Sequence, residues 1–358
     1  MDIKKKGIGI FIAAILVIAV FTAFPMSASA ASKTGPTGSG GTVTVSNNIY
    51  DLSVEDTLVS AGVGTYTVST GAGFPQPNQD ILYDGVAHAP WSSYLTVRSY
   101  TTFTDYVTTT SGPGTTPGFA VANLDPAVVS VVPTATSVTT DWSTGPWLNM
   151  PDWLNITQVT AIEGTTVADS RVRVTTNVTN VGPEPVLIGI RYEWDLMIDG
   201  SDDAWFVERN PDGLWTETEI AYTPPTFEQF ETTNDPSAPV FSIFGTVTGP
   251  LTFTPLPTPP DRFVYAEWDG AYDNAFDYTP VPLTGMDSAV LYYWGNNETK
   301  AILLIPGETV SVTEYLYAIP PPPTAVPTLT PIGLIALVGL LSVIAAISIS
   351  TTIRKKRR

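Results

Sequence analysis

Arg171-Val172-Arg173-Val174-Thr175-Thr176-Asn177-Val178-Thr179, then Asn180-Val181-Gly182-Pro183-Glu184-Pro185, then a second run over residues 186–198 that opens Val186-Leu187-Ile188-Gly189-Ile190: this stretch decides the fold class. Polar and apolar side chains alternate along Arg171 to Val174, as they do on a strand with one face buried. Gly182, Pro183 and Pro185 cannot continue a strand, so residues 180–185 form a turn that returns the chain antiparallel to itself. The same grammar recurs on both sides. Short runs rich in Val, Thr, Tyr and Phe, at residues 42–46, 65–69, 93–107, 241–248 and 309–319, are separated by clusters of Gly, Pro, Asn and Asp. No amphipathic helical period exceeds about two turns. The expected fold is all-β, a large double-sheet sandwich over residues 42–319. A division into two sandwiches near residues 111–137, where Ser111-Gly112-Pro113-Gly114 begins a change of composition, is the alternative.

The ends of the 358-residue chain differ from this middle. Lys4, Lys5 and Lys6 precede an uninterrupted apolar run over residues 8–24, and Ala28-Ser29-Ala30 follows Pro25. That order predicts a signal peptide over residues 1–30, with Ala28 and Ala30 as the small residues at the cleavage site. Residues 31–41 read as a Gly- and Ser-rich leader. Residues 320–331, with four successive prolines from Pro320, read as a stiff stalk. Residues 332–353 carry no charge and are followed by Arg354-Lys355-Lys356-Arg357-Arg358, which predicts one transmembrane helix with a cytoplasmic basic tail. Residues 31–320 are then expected outside the cell.

Composition narrows the chemistry. Only eight of the 16 Lys and Arg lie in residues 31–320, against 33 of the 34 Asp and Glu, so this region stands near −25. Nucleic acid is not an expected partner, because no basic patch is present to release phosphate counterions. With no cysteine, disulfides and thiolate metal sites are excluded, and with His88 as the single histidine so are multi-histidine metal sites.

At Val326-Pro327-Thr328-Leu329-Thr330-Pro331-Ile332 the tail resembles C-terminal sorting signals of the PEF-CTERM and IPTL-CTERM type, with Pro327, Thr328, Leu329 and Pro331 in the motif. The resemblance implies recognition by a processing enzyme of the exosortase or archaeosortase type, attachment to the cell envelope, and an archaeal, methanogen-like surface protein. It departs from the family wording, since Thr330-Pro331 stands where the bacterial form has Ser-Glu-Trp and no Pro-Glu-Phe is present. In the outer region, Gly189-Ile190-Arg191-Tyr192-Glu193-Trp194-Asp195, Asp287-Ser288-Ala289-Val290 and Ile305-Pro306-Gly307-Glu308-Thr309 resemble the β-supersandwich of the galactose-mutarotase-like class. That class includes sugar-active enzymes and non-catalytic surface domains. Its enzymes place histidines and a glutamate on the sugar, and a single His88 cannot reproduce that set.

Three groups of residues are singled out. Asp195, Asp199, Asp202 and Asp203 crowd a Gly-containing segment; a solvated acidic turn is the first reading, and a calcium site, since hard oxygen ligands in a flexible loop suit that ion, is the alternative. Trp205 and Trp268 stand in aromatic-rich stretches; core packing is the first reading of such rings, and a platform for stacking sugar rings is the alternative. Asn155, Asn177 and Asn297 open Asn-X-Thr sequons and are expected glycan acceptors on surface turns. No catalytic residue is assigned. The functional expectation is an envelope-anchored surface protein with a structural, adhesive or S-layer-associated role and no enzymatic activity. A carbohydrate-binding domain is the next reading. A sugar-active enzyme, with Glu193, Asp195 or Glu267 in a cleft, is the third.

Overall fold

A computed structural model describes residues 41–57, 62–83, 90–109, 114–283 and 285–321. The expected signal peptide with Ala28 and Ala30, His88, the expected sorting motif and residues 332–353 lie outside the described residues. Among the described residues no helix is long and apolar enough to cross a membrane.

Among the described residues the chain is nearly all β, with 19 strands and one short α-helix, α1 (Trp268–Tyr272). A small antiparallel sheet pairs β1 (Thr42–Ser46), β2 (Tyr50–Glu55) and β3 (Tyr66–Thr70). The back sheet contains β7 (Val128–Pro133), β8 (Ser137–Ser143), β9 (Leu154–Glu163), β10 (Arg171–Asn180), β12 (Trp205–Arg209), β14 (Gln229–Thr233), β15 (Ser242–Thr246) and β19 (Thr309–Ile319), in the order β12-β14-β15-β19-β10-β9-β8-β7. The front sheet contains β4 (Tyr94–Ser99), β5 (Thr104–Val107), β6 (Ala120–Asn123), β11 (Val186–Asp195), β13 (Ile220–Tyr222), β16 (Arg262–Glu267) and β17 (Ser288–Trp294), in the order β13-β16-β17-β11-β4-β5-β6; β18 (Ile302–Leu304) pairs with the start of β11. The expected double-sheet sandwich is therefore present.

Period-two alternation builds its interior. On β10, Val172, Val174 and Val178 point inwards while Arg171, Arg173 and Asn177 stay half-exposed. On β11, Ile188, Ile190, Tyr192 and Trp194 face them from the other sheet, and Val290, Tyr292 and Trp294 of β17 complete one continuous core. Trp194 lies 4.9 Å from Tyr292 in an edge-on contact, the geometry aromatic rings prefer. The small sheet adds Leu52, Val54 and Val68 to the same core and is tied to the back sheet where Ala318 N–H donates to Tyr50 Oη at 2.7 Å.

Three expectations are corrected. The run over residues 93–107 is two strands, because Phe103 adopts a left-handed φ of 53° and turns the chain between β4 and β5. Asn155 and Asn177 lie not in turns but within β9 and β10, in direct register: Asn155 faces Thr179, and Thr157 faces Asn177. The β-branched Ile156, Thr157, Val178 and Thr179 around them favour strand over turn. Asn297 does occupy an exposed turn, where its carbonyl oxygen accepts from Thr299 N–H at 3.1 Å and Thr299 Oγ1 at 2.7 Å. The acidic stretch after β11 is a tight hairpin rather than a loose loop. Ile198 bridges Ser201, and Asp199 and Gly200 both take positive φ, 54° and 73°, as the favoured two-residue hairpin turn requires.

Candidate functional site

The inner face of β11 supplies the core, so its other face carries Gly189, Arg191, Glu193 and Asp195, one polar or small residue at every second position. Cross-strand pairing extends this row over the outer face of the front sheet. Arg262, Tyr293, Arg191 and Thr96 lie side by side on β16, β17, β11 and β4. The next rank holds Val264, Leu291, Glu193 and Tyr94, and the one beyond it Ala266, Ala289 and Asp195. In the opposite direction come Gly189, Arg98 and Asp105.

This polar face is not open. Residues 268–278, which begin with α1, lie across it as a strap held by three arginines from three strands. Arg191 donates to the carbonyls of Ala271 (3.2 Å), Asn274 and Phe276 (3.2 Å), and to Tyr94 Oη at 2.9 Å. Arg98 grips Asp105 through two bonds of 2.6 and 2.8 Å and reaches Asp277 at 2.5 Å. Arg262 donates to the Tyr278 carbonyl at 2.5 Å. Phe276 fits beneath the strap because residue 189 is glycine: a Cβ there would stand 2.7 Å from the Phe276 ring and 2.5 Å from the Gly295 carbonyl oxygen. Arg191 also forms an ion pair with Glu193, both side chains being fully buried. Several polar atoms on this face, Arg191 Nε, Glu193 Oε1, Thr96 Oγ1 and Tyr293 Oη, have no hydrogen-bond partner. Buried polar groups are normally satisfied, so the strap covers this face without completing its hydrogen bonding.

At the α1 end of the strap the face ends in an aromatic corner. The Trp268 ring stacks on Tyr272 at 4.8 Å, and Trp91 meets both edge-on at 5.1 and 5.9 Å. Tyr83 and Tyr94 extend the cluster. Trp268 is only 4% exposed, whereas Tyr272 and Glu267 are half-exposed and form the accessible rim. The carboxyl of Glu267 caps α1 by accepting from Gly270 N–H at 2.5 Å. Burial holds that carboxyl above the usual carboxylate range, against the opposing effect of this bond. Glu219 is buried alongside it, and accepts from Glu267 N–H at 2.7 Å, from Val281 N–H at 2.5 Å and from Tyr278 Oη.

The expected calcium ligands are split by this geometry. Asp195 and Asp202 are buried, and Asp202 reaches the corner through its carbonyl, which accepts Ser288 N–H at 2.8 Å. Asp199 and Asp203 are exposed. Among the described residues no group of three or more acidic side chains is arranged to hold a metal ion. The two tryptophans also separate: Trp268 joins the corner, whereas Trp205 sits half-buried on β12 at the edge of the back sheet. The three strap arginines, Glu219 and Tyr278 carry no motif. The strict alternation of Gly189, Arg191, Glu193 and Asp195 against Ile190, Tyr192 and Trp194 is the sequence signal that marks a second, polar face on a fully buried strand.

No family model matches the chain, and no curated protein matches it. Solved structures do resemble it. A galactose mutarotase-like protein from Lactobacillus casei superposes with a TM-score of 0.48 at 11% identity, over 78% of this chain and 100% of its own. A GalM/aldose epimerase homologue from C. elegans gives 0.47 at 10%, over 78% and 99%. A galactose mutarotase related enzyme from Lactobacillus acidophilus gives 0.45 at 11%, over 78% and 97%. This finding corrects one expectation: with a named enzyme among the structures it resembles, the chain is no longer counted as a non-enzyme. No reaction is assigned to it from so loose a likeness.

Proposed function

We propose that this chain is a surface protein that engages saccharides at the aromatic corner of the front sheet. The observation that carries the reading is the pairing of the Trp268–Tyr272 stack with the half-exposed Glu267 carboxyl, which burial keeps above its ordinary range. Aromatic faces bind the apolar faces of sugar rings, and a carboxyl beside them hydrogen-bonds ring hydroxyls. A carboxyl whose pKa burial raises keeps its proton to a higher pH than a free one and can act as a proton donor, so sugar chemistry at the same place is part of the proposal. The basic n-region and apolar run at one end, and the apolar segment with its basic tail at the other, support display at the cell surface.

Glu267→Gln and Tyr272→Ala change the rim without removing Trp268 from the interior. We expect the full chain to be retained on at least one immobilised glycan, with retention weakened about five- to tenfold by Tyr272→Ala while the thermal midpoint moves by only a few degrees; losing one stacking contact is worth roughly 1–1.5 kcal/mol. In parallel, interconversion of sugar anomers followed by polarimetry would fall in Glu267→Gln if the carboxyl is the proton carrier. Absence of both glycan retention and anomer interconversion across a broad panel would reject the site.

A further inference from the structure

β7 is the last strand of the back sheet, and among the described residues β8 is its only partner. Exposed sheet edges offer unpaired N–H and C=O groups to other chains, and proteins ordinarily blunt them with charge. The opposite edge of the same sheet follows that rule. There β12 carries Glu208 and Arg209, and Phe206 is bridged to Thr216. β7 does not. No charged residue occurs between Asp125 and Asp141, and Val129 and Val132 are 65% and 51% exposed. A hydrogen bond from Thr134 N–H to the Ser137 carbonyl, 2.7 Å, sets the alternation of the β7–β8 hairpin. It turns the N–H and C=O of Val131 towards the open side.

The strand is also its own complement. Val128-Val129-Ser130-Val131-Val132 reads the same in both directions about Ser130. Two antiparallel copies related by a two-fold axis through Ser130 would place Val128 against Val132, Val129 against Val131, and Ser130 against Ser130. Such self-complementarity is what an isologous contact needs, and because only one edge of the sheet has it, the association closes at two. The bulge at Val129 and the missing N–H of Pro133 shorten the ladder, which keeps the contact weak rather than permanent.

We propose that β7 is a self-association edge, where a second copy of this chain pairs antiparallel and joins two back sheets into one. The occupant is the same protein, so the proposal is independent of any sugar bound at the front sheet.

The absence of cysteine gives a clean test. Across the proposed contact Ser130 and its mate form a non-hydrogen-bonded pair with side chains on one face, close enough for a disulfide. Under mild oxidation the full chain carrying Ser130→Cys should form a linked dimer at least tenfold faster than the chain carrying Asn297→Cys, whose thiol would sit on an exposed turn and meet others only by collision. Sedimentation of the unmodified chain should show a concentration-dependent dimer, and Val132→Lys, a change at an exposed position, should remove it while leaving the thermal midpoint within a few degrees. Equal oxidation rates for the two cysteine variants, a strictly monomeric chain, or a dimer that persists in Val132→Lys would each overturn the proposal.

Discussion

Arg191→Ala should lower the unfolding free energy by about 3–5 kcal/mol, the usual cost of removing one member of a buried ion pair. For a domain of this size that corresponds to a fall in the thermal midpoint of roughly 10 °C. The cause is the charge left behind. Glu193 is 0% exposed and faces Leu291 and Tyr94 on neighbouring strands, so its carboxylate would lose the one counter-ion it has among the described residues. The carbonyls of Ala271, Asn274 and Phe276 would lose their donor in the same step. Without that clamp the strap keeps Arg98, Arg262 and its bonds to Gly114, Asp287 and Glu219 but loses its central anchor, and residues 268–278 should become the first site of proteolytic cleavage. Replacing both partners, Arg191→Met with Glu193→Leu, should recover more than half of the loss, since an apolar pair removes the stranded charge. Denaturant unfolding of the two single variants and the double variant tests this directly. A single-variant loss below about 1 kcal/mol would show that the pair is solvated and that the strap does not depend on it.

The second large effect is expected in the sandwich interior. Glu314 alternates with Val312 and Leu316 on β19, so its side chain points into the core between the sheets. One carboxyl oxygen accepts from Thr246 Oγ1 at 2.5 Å and the other has no hydrogen-bond partner. Burial therefore pushes this carboxyl well above its ordinary value of 4.5, with the Thr246 bond opposing. The folded protein keeps the proton, while the unfolded chain releases it above that ordinary value. Stability due to this group is thus complete at low pH and is lost as pH rises, by about 1.4 kcal/mol per pH unit until the folded carboxyl itself ionises. Glu314→Gln cannot ionise in either state. It should therefore be more stable than the parent at pH 7, with little difference at pH 4. Other carboxyls shifted the same way by burial, such as Glu55 and Asp125, remain in both proteins and cancel in the comparison. Parallel stability–pH curves for parent and variant would mean that Glu314 is not buried in solution.

Much of this architecture can be read from residues 171–195. Alternation along Arg171 to Val174 gives the strand, Gly182 and the two prolines give the reversal, and the apolar alternate positions of residues 186–194 give a second strand with one face in the core. The corner was partly legible too, since Trp268 and Asp195 were both singled out, but their meeting was not. They are separated by 73 positions and come together only through the pairing of Asp195 with Ala289 and of Ala289 with Ala266. Asp199-Gly200 is a hairpin signal, and the chain reverses there with Asp199 and Asp203 exposed and Asp202 buried.

What the sequence determined by itself is what depends on near neighbours: the β grammar, the turns, the acidic balance, the lack of thiol chemistry, and the polar second face of β11. These follow from local sterics and from which side chains tolerate water. The tertiary structure alone decided which strand lies beside which, that residues 268–278 fold back over Arg191 and Glu193, and that β7 is left at an edge. Those outcomes depend on contacts between segments far apart in the chain, where the free energy of covering a face is set by the partner that arrives and not by the residues that wait for it.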